Sequence, residues 1–206
     1  MQVKALQTQD DFQRYASFGN AVYQDNPYWV PPDPHHLTSL LSGAAPIGSH
    51  ARIQPFWIED DHRVLAVVTA VIDEMFNRHW HEQMGHLLSF EALPSQENAV
   101  KTLLQTACQW LHDHGCTAAR MSFLYGWEVP MTIDAYAAVP TIFHRYNPAY
   151  YHSYIKDAGF TTESGQVEYQ VRFTPALAEG YRQMVERAAS AGVLLRSWDF
   201  DRLEEL

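Results

Sequence analysis

The chain has little positive charge, little cysteine and no long apolar run. Lysine and arginine number 14 against 24 aspartates and glutamates, for a formal net charge of −10. The basic residues are scattered, so no run of them supplies the electrostatic footprint that nucleic acid or an anionic membrane needs. The longest apolar stretch, residues 64–72, is far too short to span a bilayer. The opening MQVKALQTQDD lacks a charged-then-apolar leader. Of the two cysteines, Cys108 lies inside a predicted helix and Cys116 just beyond it, so no disulfide is expected and the cytoplasm is the expected location. None of the ten glycines, and no arginine, falls at residues 94–98 (Pro94, Ser95, Gln96, Glu97, Asn98). That turn joins a predicted strand to a predicted helix, a junction where glycine would let the backbone approach a ligand closely.

What is present is a globular pattern: 47% hydrophobic residues over 206 positions supply a core without staples and exclude a disordered chain. Residues 3–6 read as a short strand. Phe12, Tyr15, Ala16, Phe18, Val22 and Tyr23 recur at helical spacing over 8–23, with Thr8 or the following Gln9 and Asp10 opening the helix. The prolines of 26–32 hold that stretch extended. Residues 34–41 read as one or two helical turns and 42–50 as loop. Strands are expected at 53–59 and 63–72, joined by a hairpin turn at Asp60, Asp61 and His62, and again at 85–93. A helix over 95–114 places Ala99, Leu103, Leu104, Ala107, Cys108 and Leu111 on one face, with Gly115 as its C-terminal cap. A strand at 117–124, an irregular excursion over 125–147 and a short helix at 149–158 come next. Residues 160–173, interrupted at Ser164 and Gly165, fit one or two strands. A helix at 175–190 and a strand at 193–198 close the chain.

Strands in series followed by helical crossovers describe an α/β fold with a mixed, mostly antiparallel central sheet flanked by helices. The strings FNRHWHEQMGHLLSFEAL, LLQTACQWLHDHG, RYNPAYYHSYIKDAGF and DNPYWVPP are more specific. Through them the chain resembles the GNAT acetyltransferase superfamily, and in particular the degenerate N-terminal half of bacterial double-GNAT-like proteins. The resemblance covers residues 1–173. It implies a GNAT-like sheet, acetyl-CoA or another acyl-CoA as cofactor, and a small-molecule amine acceptor. It also implies a second GNAT-like domain or a homodimer as partner, and neither nucleic acid nor membrane. Residues 174–206 read as a helix and a strand. Either a second GNAT-like domain opens there, its start near 193 repeating the plan of the first fifteen residues, or an edge strand ends in a frayed helical tail.

In active GNAT proteins a glycine-rich turn presents backbone N–H groups to the cofactor pyrophosphate at a helix N-terminus. The matching positions here are Phe90, Ala92, Leu93, Ser95, Gln96 and Asn98, with the backbone of the 85–93 strand left to hold the pantetheine. Yet Pro94 has no N–H. Ser95 is an expected N-cap whose hydroxyl occupies a first-turn N–H, and Glu97 places a carboxylate where a phosphate would sit. Ordinary helix capping is therefore the expectation, and with it weak or absent acetyl-CoA catalysis. The alternative is an active N-acyltransferase working through a non-standard loop. By the same resemblance a tyrosine ahead of a Gly-Phe pair protonates the departing thiolate. Tyr154 and Tyr151 are the candidates beside Tyr150, although Tyr154 lies five residues before Gly159 rather than four. Glu91, at the end of a strand, is the candidate base.

Other chemistry is thinner. His79, His81 and His86 follow H-x-H-x4-H with Glu82 between them, but the third ligand has no fixed geometry, so no metal is expected. No G-x-S-x-G elbow is present, and Cys108 reads as a small buried apolar residue. The 125–147 excursion carries Trp127, Tyr136, Phe143, His144, Arg145 and Tyr146, and is expected to pack down on something rather than roof a pocket.

Overall fold

The computed structural model describes residues 1–121, 131–138, 146–165, 167, 169 and 171–193. They fall into two compact units, Met1–Gly165 and Gln166–Leu206. In the first, β1 (Gln2–Ala5), β2 (Ala51–Asp60), β3 (Arg63–Asp73), β4 (Met84–Ala92) and β5 (Ala118–Met121) form one sheet in sequence order. The first four strands are antiparallel, and β5 runs parallel to β4. The expected hairpin joins β2 to β3, with Asp61 and His62 both at positive φ (45° and 63°), the twist that a two-residue connection requires.

Helices cover both sheet faces, which is why the 64–72 run is continuously apolar rather than alternating. Phe56 and Trp57 are neighbours on β2 and so point to opposite faces. Phe56 meets Trp110 on α5 (Glu97–Asp113) edge-on, at 6.4 Å between ring centroids. Trp57 is covered on the other face by the guanidinium of Arg14 from α1 (Gln9–Ser17), 4.6 Å from its ring, and by Lys4 at 5.0 Å. Thr8 opens α1 in a full capping box with Asp11. The expected single helix over 8–23 breaks at Phe18, and α2 (Gly19–Val22) follows as a separate turn. Next comes α3 (Pro34–Leu41), capped by Asp33.

Three further departures from the sequence expectation have local causes. A helix absent from it, α4 (Glu74–Trp80), bridges β3 and β4 because the Asp73 carboxylate accepts from the N–H groups of Met75 and Phe76. The serine cap of α5 does not form. Gln96 is the N-cap, without a side-chain hydrogen bond, and Ser95 instead takes φ +58°. The strands expected within 160–173 are also missing among the described residues, which carry neither strand nor helix there. Of the strand expected over 117–124, Ala118–Met121 is present and 122–124 lie outside the described residues. The 193–198 strand lies outside them too, except for Val193. The short helix appears as α6 (Tyr150–Asp157). In the second unit, α7 (Pro175–Ser190) is opened by the Thr174 hydroxyl, and none of its residues is buried.

Gly85 lets α5 settle on the start of β4. A Cβ placed there would lie 2.6 Å from Leu111 Cδ2 and 2.9 Å from its Cγ, inside the fully packed core. Gly85→Ala is therefore expected to cost about 1–3 kcal/mol through overpacking. Chemical denaturation would read this as a lower midpoint at unchanged slope, and an unchanged midpoint would contradict it.

Candidate functional site

β4 is bent where the site lies. Between Thr69↔Leu88 and Val67↔Glu91 the pairing advances two residues on β3 and three on β4. The extra residue makes a β-bulge, with Ser89 at φ +51°. Tyr15 fixes it: its hydroxyl donates to the Ser89 carbonyl at 2.8 Å and accepts from Thr69 Oγ1 at 2.9 Å. Among the described residues the pairing of β4 with β5 runs from Met84↔Ala118 to Leu87↔Met121, and β4 itself runs on to Ala92. Leu93 N–H bonds the Leu65 carbonyl on the β3 side. Backbone groups alternate sides along a strand, so those of Ala92 point away from β3.

Three tyrosines of α6 take up the backbone there. Tyr151 Oη accepts from Ala92 N–H at 2.7 Å, and Tyr150 Oη donates to the Ala92 carbonyl at 2.9 Å. Tyr154 Oη accepts from Gln96 N–H at 2.9 Å and lies 3.4 Å from the Leu93 carbonyl. One turn of helix thus satisfies backbone groups at the end of β4 and at the start of α5. The rings pack on one another and on Phe90, whose centroid is 4.9 Å from that of Tyr151.

Glu91 sits at the centre, half-buried. Its Oε2 accepts from Tyr151 Oη at 2.7 Å and from Tyr23 Oη at 2.9 Å. Tyr23 is stacked on Trp29 with centroids 4.9 Å apart. Trp29 in turn lies against Gly19, where a Cβ would come within 2.8 Å of its ring. The 26–32 segment, expected to be extended, is thereby tied to the carboxylate through one ring stack. Burial above all, then the charge of Glu91, pushes the Tyr151 phenol well above its ordinary range. Tyr150 is pushed up by burial and then by Tyr154 and Glu91, and Tyr154 chiefly by burial. All three phenols are poorer acids than free tyrosine.

The candidates named from sequence therefore meet at one place, in unexpected roles. Tyr151, Tyr154 and Glu91 come together with Phe90, Ala92, Leu93 and Gln96, while Ser95 and Asn98 lie exposed at the start of α5. Sequence periodicity assigns Tyr23 to a helical core stripe and gives no sign of its contact with Glu91. Nor does it reveal the Tyr146 carbonyl, 3.3 Å from the Tyr23 hydroxyl. Part of the aromatic excursion is pinned: the buried Asn147 side chain accepts from Thr132 N–H at 2.8 Å and donates to its carbonyl at 3.1 Å. Tyr146 Oη donates to the Tyr136 carbonyl. Trp127, Phe143, His144 and Arg145 lie outside the described residues.

The histidines do not converge. The His79 ring packs against Trp80 and that of His86 against Phe76. Among the described residues no group of three His, Cys, Asp or Glu is placed to hold a metal. No helix among them is long and apolar enough to cross a membrane.

No protein-family model matches the chain. Protein YghO of Escherichia coli strain K12 is 21% identical over 160 residues, which are 77% of this chain and 41% of that protein. The chain thus spans less than half the length of this curated relative. Among solved structures, an aminoglycoside acetyltransferase from an uncultured soil metagenomic sample, in complex with sisomicin, superposes with a TM-score of 0.51 at 12% identity. That match covers 84% of this chain and 96% of the other. The same enzyme in complex with trehalose gives 0.51 at 13% identity, over the same shares. The α/β fold is that of the GNAT acetyltransferases, with a mostly antiparallel five-stranded sheet flanked by helices.

Proposed function

We propose that residues 1–173 form a GNAT-like domain whose acyl-CoA groove is filled by its own side chains. Acetyl-CoA or a longer acyl-CoA then binds weakly or not at all, and the chain performs no acyl transfer alone. One observation carries this: the hydroxyls of Tyr150, Tyr151 and Tyr154 occupy the backbone groups of Ala92 and Gln96. A pantetheine or pyrophosphate would have to displace them, breaking bonds that already satisfy the backbone. Glu97 adds a negative charge in the first turn of α5, where a phosphate would arrive. The domain then serves as a substrate-binding or structural half of a larger assembly, with residues 174–206 opening its second half. That the matched relative is more than twice as long agrees with such an arrangement.

The alternative is an active N-acyltransferase, and the 2.7 Å contact between Glu91 and Tyr151 favours it. Glu91 would accept a proton from the attacking amine of a small-molecule acceptor, while Tyr154 or Tyr151 returned one to the departing CoA thiolate. Raised phenol pKa values weaken that second transfer, and Tyr154 is already engaged as acceptor for Gln96 N–H. Mass spectrometry of the purified, freshly denatured protein separates the two readings. No CoA species is expected to be released. Stoichiometric CoA or acyl-CoA would favour the active enzyme.

A further inference from the structure

Residues 24–33 link α2 to α3 and carry Pro27, Pro31 and Pro32, which have no N–H and a fixed φ. The hydrogen bonds of the segment run to near neighbours in the chain. Asn26 N–H donates to the Tyr23 carbonyl at 2.9 Å, and Asn26 Oδ1 accepts from Tyr28 N–H at 2.9 Å. Asp33 Oδ1 accepts from His35 N–H, which opens α3. Among the described residues no hydrogen bond fastens the segment to the sheet. Its apolar side chains add little, since Tyr28 is 55% exposed and Val30 81%. Trp29 is the exception. A segment with so few buried contacts opens locally at small cost.

The slot that takes Trp29 is built from Gly19 and Tyr23, one helical turn apart, with Tyr23 N–H donating to the Gly19 carbonyl at 3.0 Å. The Tyr23 ring lies flat on the indole, with centroids 4.9 Å apart and planes 17° from parallel. Gly19 bounds the edge of the ring: a Cβ there would lie 2.8 Å from Trp29 Cζ2 and 3.3 Å from Cη2. Gly19 is not at positive φ, so its missing side chain serves the indole and not the backbone. Behind the slot stands the candidate site. Tyr23 is 4% exposed and donates to Glu91 Oε2 at 2.9 Å. Trp29 thus covers Tyr23, and Tyr23 holds Glu91.

We propose that residues 24–33 form a lid on the Glu91 side of the candidate site, latched by the seating of Trp29 between Tyr23 and Gly19. With the indole out of its slot Tyr23 loses its cover, its bond to Glu91 exchanges with water, and the carboxylate opens to solvent and to a ligand. The lid bears on Glu91 and not on the backbone of Ala92 or Gln96, so it stands or falls independently of the CoA reading. Coupling of the full chain with a water-soluble carbodiimide and glycine methyl ester, followed by peptide mass spectrometry, reads access to Glu91. Trp29→Ala removes the latch, and Gly19→Ala pushes it out while favouring the helical turn of α2. Each is expected to raise the rate of coupling at Glu91 about tenfold, through loss of the ring stack and of the apolar area it buries. Gly19→Ala combined with Trp29→Phe should return the rate towards wild type, because phenylalanine lacks the outer ring atoms that a Cβ at residue 19 meets. Asp73, buried elsewhere in the first unit, should stay unlabelled throughout. A Glu91 rate unmoved by Trp29→Ala or by Gly19→Ala overturns the proposal. So does a parallel rise at Asp73, since Trp29 would then hold up the whole unit rather than fasten a lid.

Discussion

Tyr151→Ala is expected to destabilise the first unit by about 3–5 kcal/mol, the range for removing a buried aromatic ring. The ring is completely buried between Phe90 and Tyr150, and its hydroxyl links Ala92 N–H to the Glu91 carboxylate. Tyr151→Phe isolates the hydroxyl. It keeps the packing, leaves the buried Ala92 N–H without its acceptor and strips a phenol donor from Glu91. That loss is expected to cost about 1–3 kcal/mol. Tyr150→Phe removes the donor to the Ala92 carbonyl at a half-buried ring, where solvent can replace it, so its cost is expected to be smaller. Urea titration of the three variants orders them. A Tyr151→Phe midpoint equal to wild type would mean that water or another group satisfies Ala92, and that the helix is not fastened through its hydroxyls.

Stability is also expected to fall steeply in alkali, and Tyr151 is the reason. Its phenol ionises near pH 10 in the unfolded chain. In the folded chain burial, followed by the charge of Glu91, holds it well above that value. A folded pKa above the unfolded one means that the contribution is whole below about pH 10 and shrinks as the pH rises through the folded pKa. Within that window this one group imposes a slope of about 1.4 kcal/mol per pH unit. Tyr150 and Tyr154 shift in the same direction but are less enclosed, so solvent moderates their share. The difference between wild type and Tyr151→Phe, followed by denaturation from about pH 9 to 11.5, isolates the contribution of this phenol. The two profiles should converge as the pH rises. Parallel profiles would show that Tyr151 ionises in the folded chain as it does in the unfolded one.

Much of the sheet was legible in the sequence because its signals are local. Asp60, Asp61 and His62 between two apolar runs announce the hairpin, and the stripe from Ala99 to Leu111 announces α5. The candidate site was legible only as a set of residues. Ser95 looked like a cap because serine before a helix commonly is one. The group that satisfies the turn is Tyr154, 58 residues away in sequence, and no local rule names such a partner. The turn holds a left-handed residue even without glycine, since Ser95 and Ser89 both take positive φ. Absence of glycine was therefore a weak guide to backbone shape, although the absence of a free donor at Gln96 agrees with it. Residues 160–173 show the opposite failure. The strand pattern was read correctly as a pattern, but a strand also needs a neighbour, and the described residues provide none.

In the proposed function α6 takes the place a cofactor would occupy. Isothermal titration of the full chain with acetyl-CoA and with a long-chain acyl-CoA tests it most directly. No saturable binding at micromolar ligand is expected from either, because Ala92 and Gln96 already hold tyrosine hydroxyls. Saturable micromolar binding of either compound, displaced by free CoA, would contradict it.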